Sequence, residues 1–534
     1  MQKRNKTRKP ILYLLYATLC ISGGCNTAVA AELQRQQTPP VISVFGAPLL
    51  LAFGYTPAGT ETAPRDLFFS AGNVPEPLQV TAPVGFELSK DGTNFVPTIS
   101  YQPAELLTAQ RIWVRFRPTR PHQGFGGSIR FSTGSYLLQA PDVNGTSLHP
   151  EQSLDVVNWN LAWFGGNNGP VDDDLQVELA RIVMDSLGAD LYMLQEIVDT
   201  ARLGRLSRSL QNGPYDYVVA PYASNTSTPA NGTWRTAQKL AYVYKRNMFA
   251  NISTRAFTNT STLSENRYNW ASGRFPFLME AHVTIDGVTK RVVFVNIHAK
   301  AESGLTSDYF RRLGAAGLMY DSLNAVYPTQ HVLIAGDYND DLDETISTVA
   351  GTTLTPYHRF MEDPARYEPI SYWNTLRGEN SYIGYPNVID HAIVSNEMQL
   401  DYVPFSCIIR REAINWVPDY RNNLTDHLPV VSRFNWRQSA TNLVTRVREP
   451  EAAPGNLQLL GMPGATPVLL FKTASSRPVT LQVFNPGGQL LWQQQLSRVA
   501  AGQQVQLPLQ HLPAGLYYLQ VQTGNSRHTL KLIR

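Results

Sequence analysis

Cysteine is nearly absent, with 3 residues in a chain of 534. Cys20 and Cys25 fall within the first 30 positions, and Cys407 stands alone in the apolar run Val403-Pro404-Phe405-Ser406-Cys407-Ile408-Ile409. If a leader is removed after Ala30, neither an intrachain disulfide nor a cysteine metal site can form. Cys407 then reads as a buried, inert thiol. Long apolar runs are missing too: residues 11–21 are apolar, but too few for an ordinary membrane span. The net charge of +3 supports no strong electrostatic claim on a polyanionic partner. From Asn456 to the end there is no Asp or Glu, only Lys472, Arg477, Arg498, Arg527, Lys531 and Arg534. Scattered over that length, these six are more simply a solvated surface than an anion-binding face.

What is present begins with a targeting pattern. Lys3, Arg4, Lys6, Arg8 and Lys9 precede the apolar run, and Ala28-Val29-Ala30 offers a small-x-small cleavage site. Residues 1–30 are therefore expected to be a signal peptide. The alternatives are an N-terminal membrane anchor and a lipoprotein signal at Cys25. The latter lacks the usual aliphatic residue three positions before the cysteine. The length suggests about three domains. Residues 40–148 show strand patterns and frequent turn signals, such as Asp91-Gly92 and Gly126-Gly127, and no helical period. Alternation over 112–117 predicts a half-buried strand, and the whole predicts a small β-sandwich. It carries no catalytic constellation, so a spacer or adhesive role is expected. Residues 437–455 read as a linker, and 456–534 as a second small β-sandwich.

Residues 152–436 mix strands and helices, which predicts an α/β domain. Strands are expected over 154–161, 191–196, 240–244, 277–285, 292–298, 388–395 and 428–434. Helices are expected after Asp172, closed by Gly188, and over 307–323. Val332-Leu333-Ile334-Ala335-Gly336-Asp337-Tyr338-Asn339 runs from buried strand into polar residues. On an extended segment Asp337 and Asn339 would point to one side and suit a phosphate or a hydrated cation. An Asx turn explains the same residues equally well. Polar strand ends recur at Asn160, Glu196, His298, Asp390 with His391, and Asp426 with His427. Sites form where the carboxyl ends of strands converge. Singly, each has a plain explanation as a surface turn, a satisfied buried histidine or a loop.

Taken in order, Asn158-Trp159-Asn160-Leu161, Leu194-Gln195-Glu196, Val295-Asn296-Ile297-His298, Gly336-Asp337-Tyr338-Asn339, Ile389-Asp390-His391-Ala392 and Thr425-Asp426-His427-Leu428-Pro429 resemble the endonuclease/exonuclease/phosphatase family. The resemblance implies a central four-layer α/β sandwich, two packed mixed β-sheets flanked by helices, in a multidomain chain. It also implies a Mg²⁺-dependent hydrolase of phosphate esters, with Mn²⁺ or Ca²⁺ as alternatives. By that analogy Glu196, Asn160 and Asp426 serve the metal. His427 is the general base, its ring held by Asp390. Asp337 and Asn339 face the attacking water and the phosphate, and His298 faces the leaving side. Arg274-Phe275-Pro276 resembles a phosphate-contacting Arg-x-Pro element, so Arg274 is a candidate substrate residue. Gln238 stands where the deoxyribonuclease branch carries a glutamate paired with its first catalytic histidine, which is a departure.

Two further resemblances flank this domain. Residues 81–89, Trp113-Val114-Arg115-Phe116 and Val143-Asn144-Gly145-Thr146 resemble an Ig-like repeat of secreted Bacteroidetes proteins. Gly487-Gly488-Gln489-Leu490, Leu512-Pro513-Ala514-Gly515 and Lys531-Leu532-Ile533-Arg534 resemble the C-terminal sorting domain of the type IX secretion system. The implied protein is a secreted or surface-held nuclease with a nucleic acid substrate. It engages the type IX machinery and is a monomer with no obligate protein partner. A sphingomyelinase or phosphatase of the same fold, and an inactive surface adhesin, are the rival readings.

Overall fold

The computed structural model describes residues 40–437, apart from 135, 231 and 259–263, and stretches of 457–533. The expected leader at 1–30, the linker beyond Arg437 and the motif residues 487–489 and 512–515 lie outside the described residues. Three hydrophobic cores are present, one for each region of distinct pattern.

The first core lies between a four-stranded and a five-stranded sheet. The strand Gln110–Phe116 shows how the pattern works. Ile112, Val114 and Phe116 are buried, while Trp113 and Arg115 alternate with them toward solvent. The last core joins a three-stranded and a four-stranded sheet through Leu469, Phe471, Val479, Leu481, Val483, Leu519 and Val521.

The central domain carries the two largest sheets. In chain order its strands are β1 (Ser153–Phe164), β2 (Leu191–Ile197), β3 (Tyr215–Val219), β4 (Lys239–Lys245), β5 (Phe249–Ala256), β6 (Phe277–Ile285), β7 (Val288–His298), β8 (His331–Asp337), β9 (Tyr367–Glu368), β10 (Asp390–Ser395), β11 (Ile408–Ile409) and β12 (Val430–Asn435). Six form one sheet in the order β3-β4-β2-β1-β12-β11; six form the other in the order β5-β6-β7-β8-β10-β9. Each sheet has the same centre. A parallel pair, β1 with β2 or β7 with β8, is flanked by an antiparallel strand, β12 or β10. The sheets face each other across one continuous core that holds Val157, Leu194, Val243, Phe294, Ile334 and Ile393. Strands buried on both faces read as apolar runs rather than alternating ones, as these do.

Helices cover the outer faces. In α1 (Asp173–Leu187), Asp172 caps the amino end by accepting from the N–H groups of Asp174 and Leu175 at 3.0 and 2.9 Å. Gly188 ends it at φ 62°, where a Cβ would be strained. Helix α2 (Thr306–Val326) runs three residues beyond the expected end and buries Ala315, Ala316, Met319 and Leu323.

Candidate active site

The polar ends of the central strands meet at one edge of the paired sheets. β1, β2, β7 and β8 bring their carboxyl ends. Asp390 instead opens β10 at its amino end, and His427 stands just before β12. Antiparallel neighbours make this possible, since their amino ends lie beside the carboxyl ends of the parallel pair. In the second sheet His298 is directly opposite Asp337, and Asp337 directly opposite Asp390. Three strands thus present a row of three candidate site residues.

Asp337 is where the two halves of the site join. One of its carboxylate oxygens, Oδ2, accepts from Asn160 Nδ2 at 3.0 Å and lies 3.5 Å from His298 Nε2 and 3.9 Å from His427 Nε2. Its side chain is buried, and burial pushes its carboxyl up to about 7 despite the opposing charge of His427. Gly336 makes the position possible. A Cβ there would lie 2.0 Å from the Ile297 carbonyl oxygen, so only glycine lets β8 come this close to β7.

The turn expected of this segment forms at Asp337, and the same side chain faces the other polar strand ends. Asp337 Oδ1 accepts from the Asn339 N–H at 2.9 Å, which is an Asx turn. The strand ends at Asp337, and Asn339 stands at φ 51°. The extended geometry expected from the sequence therefore stops one residue too early for the pair to point together. Asn339 Nδ2 donates to the Ala299 carbonyl at 3.3 Å, beside the chain that follows His298.

His427 Nδ1 lies 2.8 Å from Asp390 Oδ2, and its Nε2 faces Asp337 and, at 4.0 Å, Asp426. Burial works against the imidazolium, but the Asp390 charge and hydrogen bond outweigh it, with Asp337 and Asp426 adding to them. The imidazole is raised well above its ordinary range. His391 points the other way, as strand alternation requires. It is buried between Ser371 Oγ, 3.0 Å from Nδ1, and the Val388 carbonyl, 2.9 Å from Nε2.

Glu196 and Asn160 close the opposite side. Asn160 Nδ2 also reaches Glu196 Oε1 at 3.2 Å, and Glu196 Oε2 accepts from the Trp163 N–H at 2.9 Å. Ligand-capable atoms of Glu196, His298 and Asp337 lie within 4.8 Å of one another, and so do those of Asp337, Asp390 and His427. Two buried or half-buried carboxylates with an amide beside them fit a hard cation such as Mg²⁺, which takes one or two carboxylates and retains several waters. Asp426 belongs to neither cluster. Its side chain is 31% exposed and stands beyond His427.

Arg274 sits behind His298. Its Nε donates to the His298 carbonyl at 3.0 Å, Nη2 to the Ala299 carbonyl at 3.0 Å and Nη1 to Gln238 Oε1 at 2.7 Å. Burial lowers it to about 10, with Glu196 and Asp337 opposing. Gln238 is thus occupied by Arg274, and His298 Nδ1 is buried with no hydrogen-bond partner among the described residues. Burial and the charges of Arg274 and His427 hold His298 well below the usual histidine range.

Sequence reasoning missed the layer beneath. Gln195 Nε2 donates to Asn158 Oδ1 at 2.9 Å and Asn296 Oδ1 at 2.7 Å. Asn158 Nδ2 donates to the Gly336 carbonyl at 2.9 Å, and Asn296 Nδ2 to the carbonyls of Leu194 and Ala241 at 3.0 Å each. All three amides are fully or almost fully buried, and they tie the two sheets together directly under the site. A polar residue one or two positions before each polar strand end was the available signal. Tyr382, whose ring stands edge-on to His427 at 4.9 Å, had none.

Residues 468–534 match the family described as the secretion system C-terminal sorting domain. The chain therefore carries the type IX export signal and is destined for the cell surface or the surrounding medium. No curated protein matches the sequence. Among solved structures, the chain is similar to an endonuclease/exonuclease/phosphatase from Beutenbergia cavernae at 15% identity, over 71% of this chain and 100% of that one, with a TM-score of 0.39. A protein of the same description from Bacteroides vulgatus gives 13%, 53%, 99% and 0.37. The human Nocturnin catalytic domain with bound sulfate gives 15%, 54%, 95% and 0.34.

Proposed function

We propose that the chain is a secreted, divalent-cation-dependent phosphodiesterase that cleaves extracellular DNA or RNA by His427-assisted attack of water on phosphate. The observation that carries this reading is the 2.8 Å His427–Asp390 pair, aimed at the same buried Asp337 that joins Glu196, Asn160 and His298. Hydrolysis of a phosphodiester needs a group to take the water's proton, fixed positive charge or dipoles at the phosphoryl oxygens and a donor at the leaving oxygen. His427 Nε2 takes the proton while Asp390 fixes the ring and its tautomer. His298, held by Arg274 through its own carbonyl, offers a hydrogen bond on the other side. Glu196 and Asp337 would hold the cation, with Asn160 beside them. When bound, the cation would neutralise phosphoryl charge and offset the carboxylates that raise the His427 imidazole.

Protein lacking residues 1–30 is expected to nick plasmid DNA or degrade RNA in Mg²⁺ and to stop in EDTA. His427→Ala and Glu196→Ala should each abolish turnover. Survival of activity in both variants would sink the site. If nucleic acids stay intact while sphingomyelin or a phosphomonoester is hydrolysed, the substrate class is wrong and the site stands.

A further inference from the structure

The N-terminal β-sandwich is seated on the central domain at one seam. A Cβ on Gly124 would lie 2.4 Å from the Pro404 carbonyl oxygen, and one on Gly126 would lie 2.5 Å from the Phe405 ring. Glycine alone permits this approach. Asn144 Nδ2 donates to the Phe405 carbonyl at 2.8 Å, and Phe405 is held at φ 63°. A non-glycine residue in that region costs about 1–3 kcal/mol and persists only where its surroundings enforce it.

From this seam a chain of interactions leads to the site. The Phe405 ring meets Trp373 edge-on at 5.5 Å, and the Arg377 guanidinium lies 3.6 Å over the Trp373 ring. Arg377, with a side chain only 6% exposed, has its Nε 3.6 Å from Asp142 of the sandwich. Its Nη2 donates to Glu379 Oε1 at 2.6 Å and Asn374 Oδ1 at 2.7 Å. Two residues further on, the Ser381 carbonyl accepts from the Leu428 N–H at 2.7 Å, and the Ile383 N–H donates to the Asp426 carbonyl at 2.7 Å. These bonds fall on either side of His427. Ser381 Oγ also accepts from the Asp390 N–H at 3.0 Å. Residues 377–383 are thus a strut that holds the backbone of both His427 and Asp390.

We propose that the sandwich is a clamp on this strut, with Arg377 as the positioning residue, in place of the spacer or adhesive role expected from the sequence. The proposal rests on the phosphodiesterase reading for its kinetic readout only. Hydrogen exchange tests it independently.

The test uses the exported chain with Asn144→Ala, Asp142→Asn, Gly126→Leu or Arg377→Gln, and Arg111→Ala on the far sheet as control. Amides of 379–385 are expected to exchange about tenfold faster in the four seam variants while those of 65–72 and 110–116 stay protected. kcat should fall about tenfold with KM within about twofold, as for loss of positioning. Arg111→Ala should change neither. Should Gly126→Leu fail to fold, Asn144→Ala, which removes a single hydrogen bond, decides the matter. Wild-type protection at 379–385 in variants whose 124–144 amides have opened would overturn the clamp. A wild-type chain without phosphodiesterase activity would overturn the functional reading and leave the exchange result to decide the clamp.

Discussion

In the second sheet of the central domain, His298, Asp337 and Asp390 stand opposite one another on adjoining strands in unbroken register. In the first, the register breaks as the site is reached. Pairing of β1 with β2 shifts after Asn160, pairing of β2 with β4 shifts after Leu194, and Ala162, Trp163 and Glu196 all adopt positive φ. The two sheets share the same strand arrangement at their centres, so topology does not cause the difference. One half positions its groups by regular pairing and the other by local distortion. The distorted half carries Glu196, the carboxylate best placed for a cation, whereas the regular half carries His298, Asp337 and Asp390, the last holding His427 across the gap between the sheets. Regular pairing holds side chains at fixed spacing; a bulge re-aims a single side chain.

The largest effect is expected in the regular half. Asp390→Asn keeps the shape of the row but removes the charge that orients His427. Turnover is expected to fall by about 10²–10⁴-fold, read from initial rates in saturating Mg²⁺. A loss below tenfold would mean that the row is structural.

The next effect is on stability, and it concerns what joins the halves. Asn296→Ala removes the side-chain donor to the Leu194 and Ala241 carbonyls and an acceptor of the Gln195 amide in a fully buried place. The cost should be about 1–3 kcal/mol, measured by urea unfolding. An unchanged midpoint would show that the Asn296 bonds add nothing to what joins the sheets.

The sequence was informative where a local rule applies. Asp172 and Gly188 mark the ends of α1 because capping is decided within a few residues, and Ile112, Val114 and Phe116 declare their face by alternation. The candidate site was visible as polar residues ending apolar strands. What could not be read depends on partners distant in the chain. Arg274 was expected to contact substrate phosphate, yet it grips the carbonyls of His298 and Ala299. The extended pairing of Asp337 with Asn339 failed because the Asx turn begins at Asp337 itself. Cys407 was legible, since an apolar run around a lone thiol predicts burial; its pKa is pushed up to about 12.

A smaller effect separates the halves by pH. Burial raises Asp337 to about 7, and a cation is held by the ionised form. Its affinity should therefore increase as pH rises through that value and protons should be released on binding. About tenfold weaker Mg²⁺ binding at about pH 6 than at about pH 8, by calorimetry in two buffers of different ionisation enthalpy, is the expected result. Affinity independent of pH would assign the cation to Glu196 without Asp337.

The finest test is of Glu196 itself, because its backbone and side chain make opposite demands. At φ 63° an L-residue costs about 1–2 kcal/mol relative to glycine. The carboxylate is nevertheless held there by its bond to the Trp163 N–H. Glu196→Ala and Glu196→Gly remove the same carboxylate and the same two hydrogen bonds, so their difference isolates the backbone. Both should be inactive, and the glycine variant should be the more stable by about 1 kcal/mol in thermal unfolding. Equal stabilities would mean that the distortion is relieved once the side chain is gone. The first sheet would then be bent by its own carboxylate rather than by the fold.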